Sequence, residues 1–402
     1  MSLPEPREAL LQRAEAHIFA MGLPDSGTRL CVANMRYGLA KIHHVQQTLG
    51  LRPNATFIGT PDMTITRNAG RWAAGFGYGG RLSWGNGPRE EQFLVLDVKA
   101  NACGMLVGAT DRLPPVRELM QRVDALMQEE TRIEGVRVAW DFGGGNHFID
   151  LFEVKTADAE LRLPPYVFAL HASGAEHRAA SEAGPGLYWD ESPELAAQAE
   201  AFETPFGPLH LLREAAAQRF FEYYQQVERF ACRRRVIAAE RLFGDLRLIC
   251  NESHQGYRSP TEIVLGCHDT QPPRLLPVML RADLPAYLVR GRPNLSDETI
   301  SARGFAARAQ ELGVLDRLRA ADVAPHGGGY TLPELRDVVG VIEVGDRRYF
   351  ECTTAAAAGT KVLADLRGVP YGYRGRSVVL ESVQLGLCDI VATLRPVQVL
   401  KV

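Results

Sequence analysis

Apolar residues recur at helical spacing over residues 5–21 and 34–49, the second run stopping at Gly50, so two N-terminal helices are predicted. The stretch from Arg71 to Gly80 mixes glycine with aromatic residues and reads as turns between short strands. Apolar, β-rich runs at 93–98, 166–171 and 390–400 read as strands, and two more at 135–140 and 147–154 flank a glycine-rich turn. Residues 115–130 carry the spacing of an amphipathic helix, and 193–242, rich in Ala, Glu, Gln and Arg, predict long helices. No repeat, low-complexity segment or long Pro/Ser-rich linker divides the chain. The pattern therefore predicts an α/β (mixed α+β) fold with one large domain around a central mixed sheet. In it, residues 1–54 form a helical segment and 55–402 the main domain, with a helical insertion at about 193–242.

Composition narrows the class. At 402 residues, with 46% hydrophobic and 23% charged residues, the chain is an ordinary globular protein able to bury a core. A net charge of -3 excludes a global electrostatic footprint for nucleic acid but leaves room for a local one. Only five lysines stand against 40 arginines, a skew that a composition bias explains more simply than phosphate recognition. The cluster Arg233-Arg234-Arg235 on the predicted helices reads as a solvated face, with phosphate contact as the sharper alternative. Seven scattered cysteines form no CxxC, which argues for a reducing compartment and against a structural zinc knuckle. The N-terminus resembles an amphipathic helix rather than a signal peptide, and no apolar run approaches the ~18 residues of a membrane span. A cytoplasmic protein with no membrane association is expected.

The chemistry concentrates in Asp141-Phe142-Gly143-Gly144-Gly145-Asn146-His147-Phe148-Ile149-Asp150. Three glycines permit close backbone approach, and a neutral imidazole beside them is the commonest kind of metal ligand. Alone, the run also reads as a tight turn with a surface histidine. Other residues share its setting: Cys103 follows the strand at 93–98, His171 closes the strand at 166–171, and His254 follows Leu248-Ile249-Cys250-Asn251-Glu252-Ser253. Polar side chains at strand ends are where α/β sheets gather sites. Thiolate and imidazole with a carboxylate would suit Mn²⁺, Zn²⁺, Co²⁺ or Fe²⁺.

Four segments together resemble the RtcB family: Gly143-Gly144-Gly145-Asn146-His147-Phe148, Asn101-Ala102-Cys103-Gly104-Met105, Leu284-Pro285-Ala286-Tyr287-Leu288-Val289-Arg290-Gly291, and the ending Ala392 to Lys401. The likeness runs collinearly over roughly residues 55–402. It implies an RNA ligase that uses GTP and two Mn²⁺ ions to join RNA 3′-phosphate or 2′,3′-cyclic phosphate ends to 5′-hydroxyl ends. It also implies an activating archease-like protein as a possible partner. By this resemblance Cys103 bridges the metals, His147, His171 and His254 are histidine ligands, and Asn146, Asp150, Tyr373 and Lys401 hold the nucleotide. The family's guanylate-carrying histidine has two placements here. Collinear counting gives Arg303, which stays protonated and cannot be a nucleophile. A helical insertion at 296–320 gives His326 in Pro325-His326-Gly327-Gly328-Gly329, where small residues would let a phosphate approach.

The departures cluster on phosphate handling. The family's metal-binding aspartate position holds Ala100, so Asp97 serves only if the loop is longer. The phosphate turn reads Leu280-Arg281-Ala282-Asp283, with an acid in place of a glycine. His171 and His268 keep family histidines without their usual basic neighbours. Arg233–Arg235, Arg258 and Arg281 are candidates for an RNA surface. Two rivals to the ligase follow: a metal-dependent phosphoester hydrolase or cyclic phosphodiesterase without nucleotidyl transfer, and a non-catalytic RNA-end-binding protein.

Overall fold

The runs Cys103-Gly-Met-Leu-Val-Gly-Ala-Thr110 and Tyr166-Val-Phe-Ala-Leu-His-Ala172 have no polar face, so as strands they need cover on both sides. The computed structural model, which describes residues 5–85, 93–345, 347–356 and 359–401, places them side by side in the middle of an 11-stranded sheet. In chain order the strands are β1 (Ile18–Ala20), β2 (Thr56–Thr64), β3 (Tyr78–Ser83), β4 (Cys103–Thr110), β5 (Phe148–Ala157), β6 (Tyr166–Ala172), β7 (Arg247–Ser259), β8 (Glu262–Leu265), β9 (Leu275–Val278), β10 (Ala286–Gly291) and β11 (Cys388–Leu400). Their order across the sheet is β1-β2-β3-β8-β7-β4-β6-β5-β11-β10-β9. β1 and β2 run parallel and the other pairs antiparallel, so the sheet is mixed, within a mixed α/β fold.

Alternation along the strands sorts two cores. Leu106, Ile149, Leu151, Phe168 and Leu170 pack with the helices Val116–Gln128 and Glu214–Phe243. Met105, Val107, Phe152, Val167 and Ala169 face the other way, against Met279, Leu288 and Leu394. Cys103 and His171 share the parity of this second set. The register, Met105 opposite His171 and His171 opposite Phe148, therefore brings their ends of three strands to one face.

Tertiary contacts moved several boundaries. Residues 5–21 are not one helix: the helix Arg7–Ala16 ends, and Ile18–Ala20 pairs with β2, giving the sheet an edge strand. The stretch up to residue 54, described from residue 5, thus shares the main sheet rather than standing apart as a helical segment. The second helix starts earlier than expected, at Ser26, because the Asp25 side chain accepts a hydrogen bond from Thr28 N at 3.1 Å. Only Phe93–Val95 of the 93–98 run is strand. The region 193–242 holds short strands, Glu200–Phe202 and Leu209–Arg213, between its two helices. Residues 296–320 hold three short helices. Among the described residues no helix is long and apolar enough to cross a membrane.

Candidate metal centre and its cavity

Cys103, His147, His171 and His254 come from four neighbouring strands or the turns leading into them. Cys103 opens β4 after a loop in which Lys99 and Ala102 are held at positive φ (48° and 53°), conformations that cost free energy and need outside support. Arg71 supplies part of it, donating to Val98 O at 2.8 Å and Lys99 O at 2.7 Å. His254 is not at a strand end. It sits inside β7 where the register with β4 slips between Ser253 and Gln255, and such a bulge re-aims a side chain.

Hydrogen bonds fix the ring tautomers. His171 Nδ1–H donates to Asn146 O at 2.9 Å, and His147 Nδ1–H donates to Asp141 Oδ2 at 2.7 Å. A carbonyl or carboxylate can only accept, so whenever either ring is neutral its lone pair is on Nε2. His171 Nε2 lies 3.0 Å from Cys103 Sγ and 3.2 Å from His254 Nε2. Burial pushes the Cys103 thiol up, but the imidazoles of His171, His147 and His254 outweigh it and hold it well below the ordinary thiol range. Burial lowers His147 too, yet its bonds to Asp141 and Cys103 prevail and raise it to about 9. Burial, then neighbouring His326, drives His254 well down. Such spacings match the edges of a coordination shell with bonds of about 2.0–2.3 Å. The buried Cys103/His171/His254 group can hold a metal ion.

Two consecutive arginines brace this arrangement from the far side of the sheet. Arg234 donates to Ser173 O at 2.9 Å and Ala139 O at 2.5 Å, and it pairs with Asp141 and with Glu176. Asp141 in turn orients His147. Arg235 donates to Ala172 O at 3.1 Å and Asn251 Oδ1 at 2.7 Å, tying the end of β6 to the body of β7. Both are 1% exposed, which overturns the reading of these two as a solvated or phosphate-binding face, while Arg233 stays exposed. Arg258 is likewise committed, to Glu228 and Ser253 O.

Asp97 does not join the group. The left-handed residues between it and Cys103 turn the chain, and Asp97 accepts instead from Trp189 Nε1 and His210 N, each at 2.9 Å. No carboxylate belongs to the metal-type group among the described residues.

A cavity of about 390 Å³ opens beside the group, and His171, Asn146, Asp150, His326, Tyr373 and Lys401 all line it. Arg303 lies elsewhere, capping a helix and reaching toward Ala20 O and Glu381. His326 stacks obliquely on His254 with ring centroids 4.5 Å apart. Its Nδ1–H donates to Asp62 Oδ2 at 2.8 Å, and the same oxygen accepts from His326 N at 3.1 Å and Gly327 N at 3.3 Å. Sequence reasoning missed Asp62. The signal was an aspartate inside the uniformly buried strand Thr56–Thr64, where an acid must have a partner. The glycines after His326 are required by close contacts, since a Cβ at Gly329, which has φ +63°, would come 2.2 Å from Asp62 O. Asp150 Oδ1 is buried without a hydrogen-bond partner, and burial raises its carboxyl to about 7 against the pull of Lys401.

No protein-family model matches the chain, and no curated protein matches it.

Two outcomes follow. Arg234→Met should weaken Co²⁺ binding by about 10–100-fold in a chelator competition, the size of effect seen when a ligand's outer partner is lost. Exposed Arg233→Met should leave it unchanged, and equal affinities for all three proteins would contradict the bracing role. Asp150 has a folded value above its unfolded one, so its cost to stability is absent below pH 4, grows as pH rises, and is complete above about 7. Asp150→Asn should therefore stabilise the metal-free protein by roughly 1–3 kcal/mol at pH 8 and by little at pH 4 in denaturant melts. A gain independent of pH would show that the carboxyl is not held protonated.

Proposed function

We propose that this chain is a divergent, metal-dependent RNA ligase of the RtcB type, joining 3′-phosphate or 2′,3′-cyclic phosphate ends to 5′-hydroxyl ends through a guanylated histidine. The observation that carries the reading is the setting of His326. Its Nδ1–H is held by buried Asp62, its ring lies against His254 of the metal-type group, and it lines a cavity of nucleotide size. Asp62 leaves the lone pair on Nε2, which makes that atom the nucleophile, and its charge stabilises the ring as it becomes cationic. In the first step Nε2 attacks the α-phosphorus of GTP, a P–N bond forms, and the P–O bond to pyrophosphate breaks. In the second, an oxygen of the RNA 3′-phosphate, which a 2′,3′-cyclic end yields once water has broken its P–O2′ bond, takes the guanylate and frees the histidine. In the third, the 5′-hydroxyl attacks the activated phosphate and GMP leaves. A metal on Cys103, His171 and His254 would withdraw charge from a phosphoryl oxygen. With no carboxylate in the set, the donors suit Zn²⁺, Co²⁺ or Fe²⁺ better than Mn²⁺. Tyr373 and Phe148 give the cavity flat faces for a base, and Asn146 and Lys401 give it polar ends.

One observation favours the hydrolase reading. The cations lining the cavity are Arg281 and Lys401, and Arg281 is already paired with Asp283 at 2.7 Å. A triphosphate would meet little uncommitted positive charge there.

Labelling with α-³²P-GTP and a divalent metal separates the readings. The ligase predicts an acid-labile label on wild type, a slower one on Asp62→Asn, and none on His326→Ala. No label, together with GTP-independent opening of a 2′,3′-cyclic phosphate, would move the assignment to a phosphodiesterase.

A further inference from the structure

We propose that Tyr371 and Arg67 form a stacking platform on the rim of the cavity for the unpaired terminal base of a single-stranded RNA. The inference rests on the RNA-ligase reading and extends it to a substrate-binding surface.

Three tyrosines meet at this rim. Tyr330 and Tyr373 line the cavity and lie directly opposite one another in the short ladder of Tyr330–Thr331 with Gly372–Tyr373. Their ring centroids are 5.1 Å apart. Tyr371 lies just before this strand, two residues from Tyr373. Its ring stands edge-on to both, 5.1 Å from Tyr330 and 5.9 Å from Tyr373. The Arg67 guanidinium lies 4.2 Å from the Tyr371 ring centroid.

The inner and outer members differ in what the fold asks of them. Tyr330 packs against the cluster of Leu332, Leu335 and Phe350, so it has a structural duty. Tyr371 belongs to no apolar cluster and is 41% exposed. Arg67 is exposed and has no ion pair among the described residues, and the same holds for Arg376 nearby in the chain. A large aromatic face and an unneutralised guanidinium, fixed beside a phosphoester cavity, contribute little to stability. They have the chemistry that holds a base and its phosphate in single-strand recognition. Stacking tolerates any base, so the platform would hold the RNA end without choosing its sequence.

The test uses a short single-stranded RNA with a 3′-phosphate, and the same RNA lacking its terminal base, measured by fluorescence anisotropy. Wild type should bind the abasic RNA about tenfold more weakly, the scale of one lost base–aromatic stack. Tyr371→Ala should bind the intact RNA about tenfold more weakly and show no further loss with the abasic one, while Tyr371→Phe behaves as wild type. An intact-RNA affinity unchanged by Tyr371→Ala, or an abasic penalty that persists in that variant, overturns the proposal. GTP labelling of wild type is scored separately. A labelled protein with no base-dependent RNA binding defeats the platform and leaves the ligase standing. RNA binding through Tyr371 with no label defeats the ligase and leaves the platform.

Discussion

Burying a thiol sulphur and two imidazole nitrogens within 4.8 Å of one another is unfavourable unless a cation or a proton sits among them. Cys103 Sγ, His171 Nε2 and His254 Nε2 are in that position, and the protein directs much polar structure at keeping them there. Asn146 O fixes one ring, Asp141 fixes the adjoining His147, and the buried pair Arg234 and Arg235 ties together the backbone that carries all of them. Removing one partner of such a network exposes the others to an unpaid desolvation cost. The long helix Glu214–Phe243 is therefore as much a part of the centre as the strands are.

The same constraint extends to His326. Its ring shares a face with His254, and its proton is anchored on Asp62, which reaches it from the opposite half of the sheet. β2, β7 and the glycine turn after Pro325 thus meet at one point, and a cavity opens there. Chemistry at His326 and any cation held by the neighbouring group would be electrostatically coupled across these two stacked rings. The cavity wall is largely apolar, with Met105, Phe148 and Met279 among its residues, which strengthens that coupling by excluding water.

What the sequence revealed follows from how local each signal is. Two-sided apolar strands such as 103–110 and 166–172 announce themselves, and so does the glycine turn that presents His147. Cys103, His147 and His171 could be grouped because each lies at the end of an apolar strand, whereas His254 sits inside one. Spacing could not show that Asp97 turns away, because that depends on two left-handed residues in the following loop. Nor could it show the fate of Arg234 and Arg235. A basic run on a helix looks solvated until the carbonyls of Ala139, Ala172 and Ser173, remote in sequence, arrive to receive it. Asp62 was invisible for the same reason, since its partner lies 264 residues away. The short strand Ile18–Ala20 was hidden inside a helical pattern and is decided by pairing with β2.

Cys103, His171 and His254 form a group that can hold a metal ion. Titrating Co²⁺ into metal-free protein tests it directly, because a thiolate bound to cobalt gives a near-ultraviolet charge-transfer band that imidazole alone does not. The band should appear with wild type, saturate at a stoichiometric amount of metal, vanish in Cys103→Ser, and weaken in His171→Ala and His254→Ala. A wild-type protein that shows no such band, or a Cys103→Ser protein that shows the same one, would contradict it.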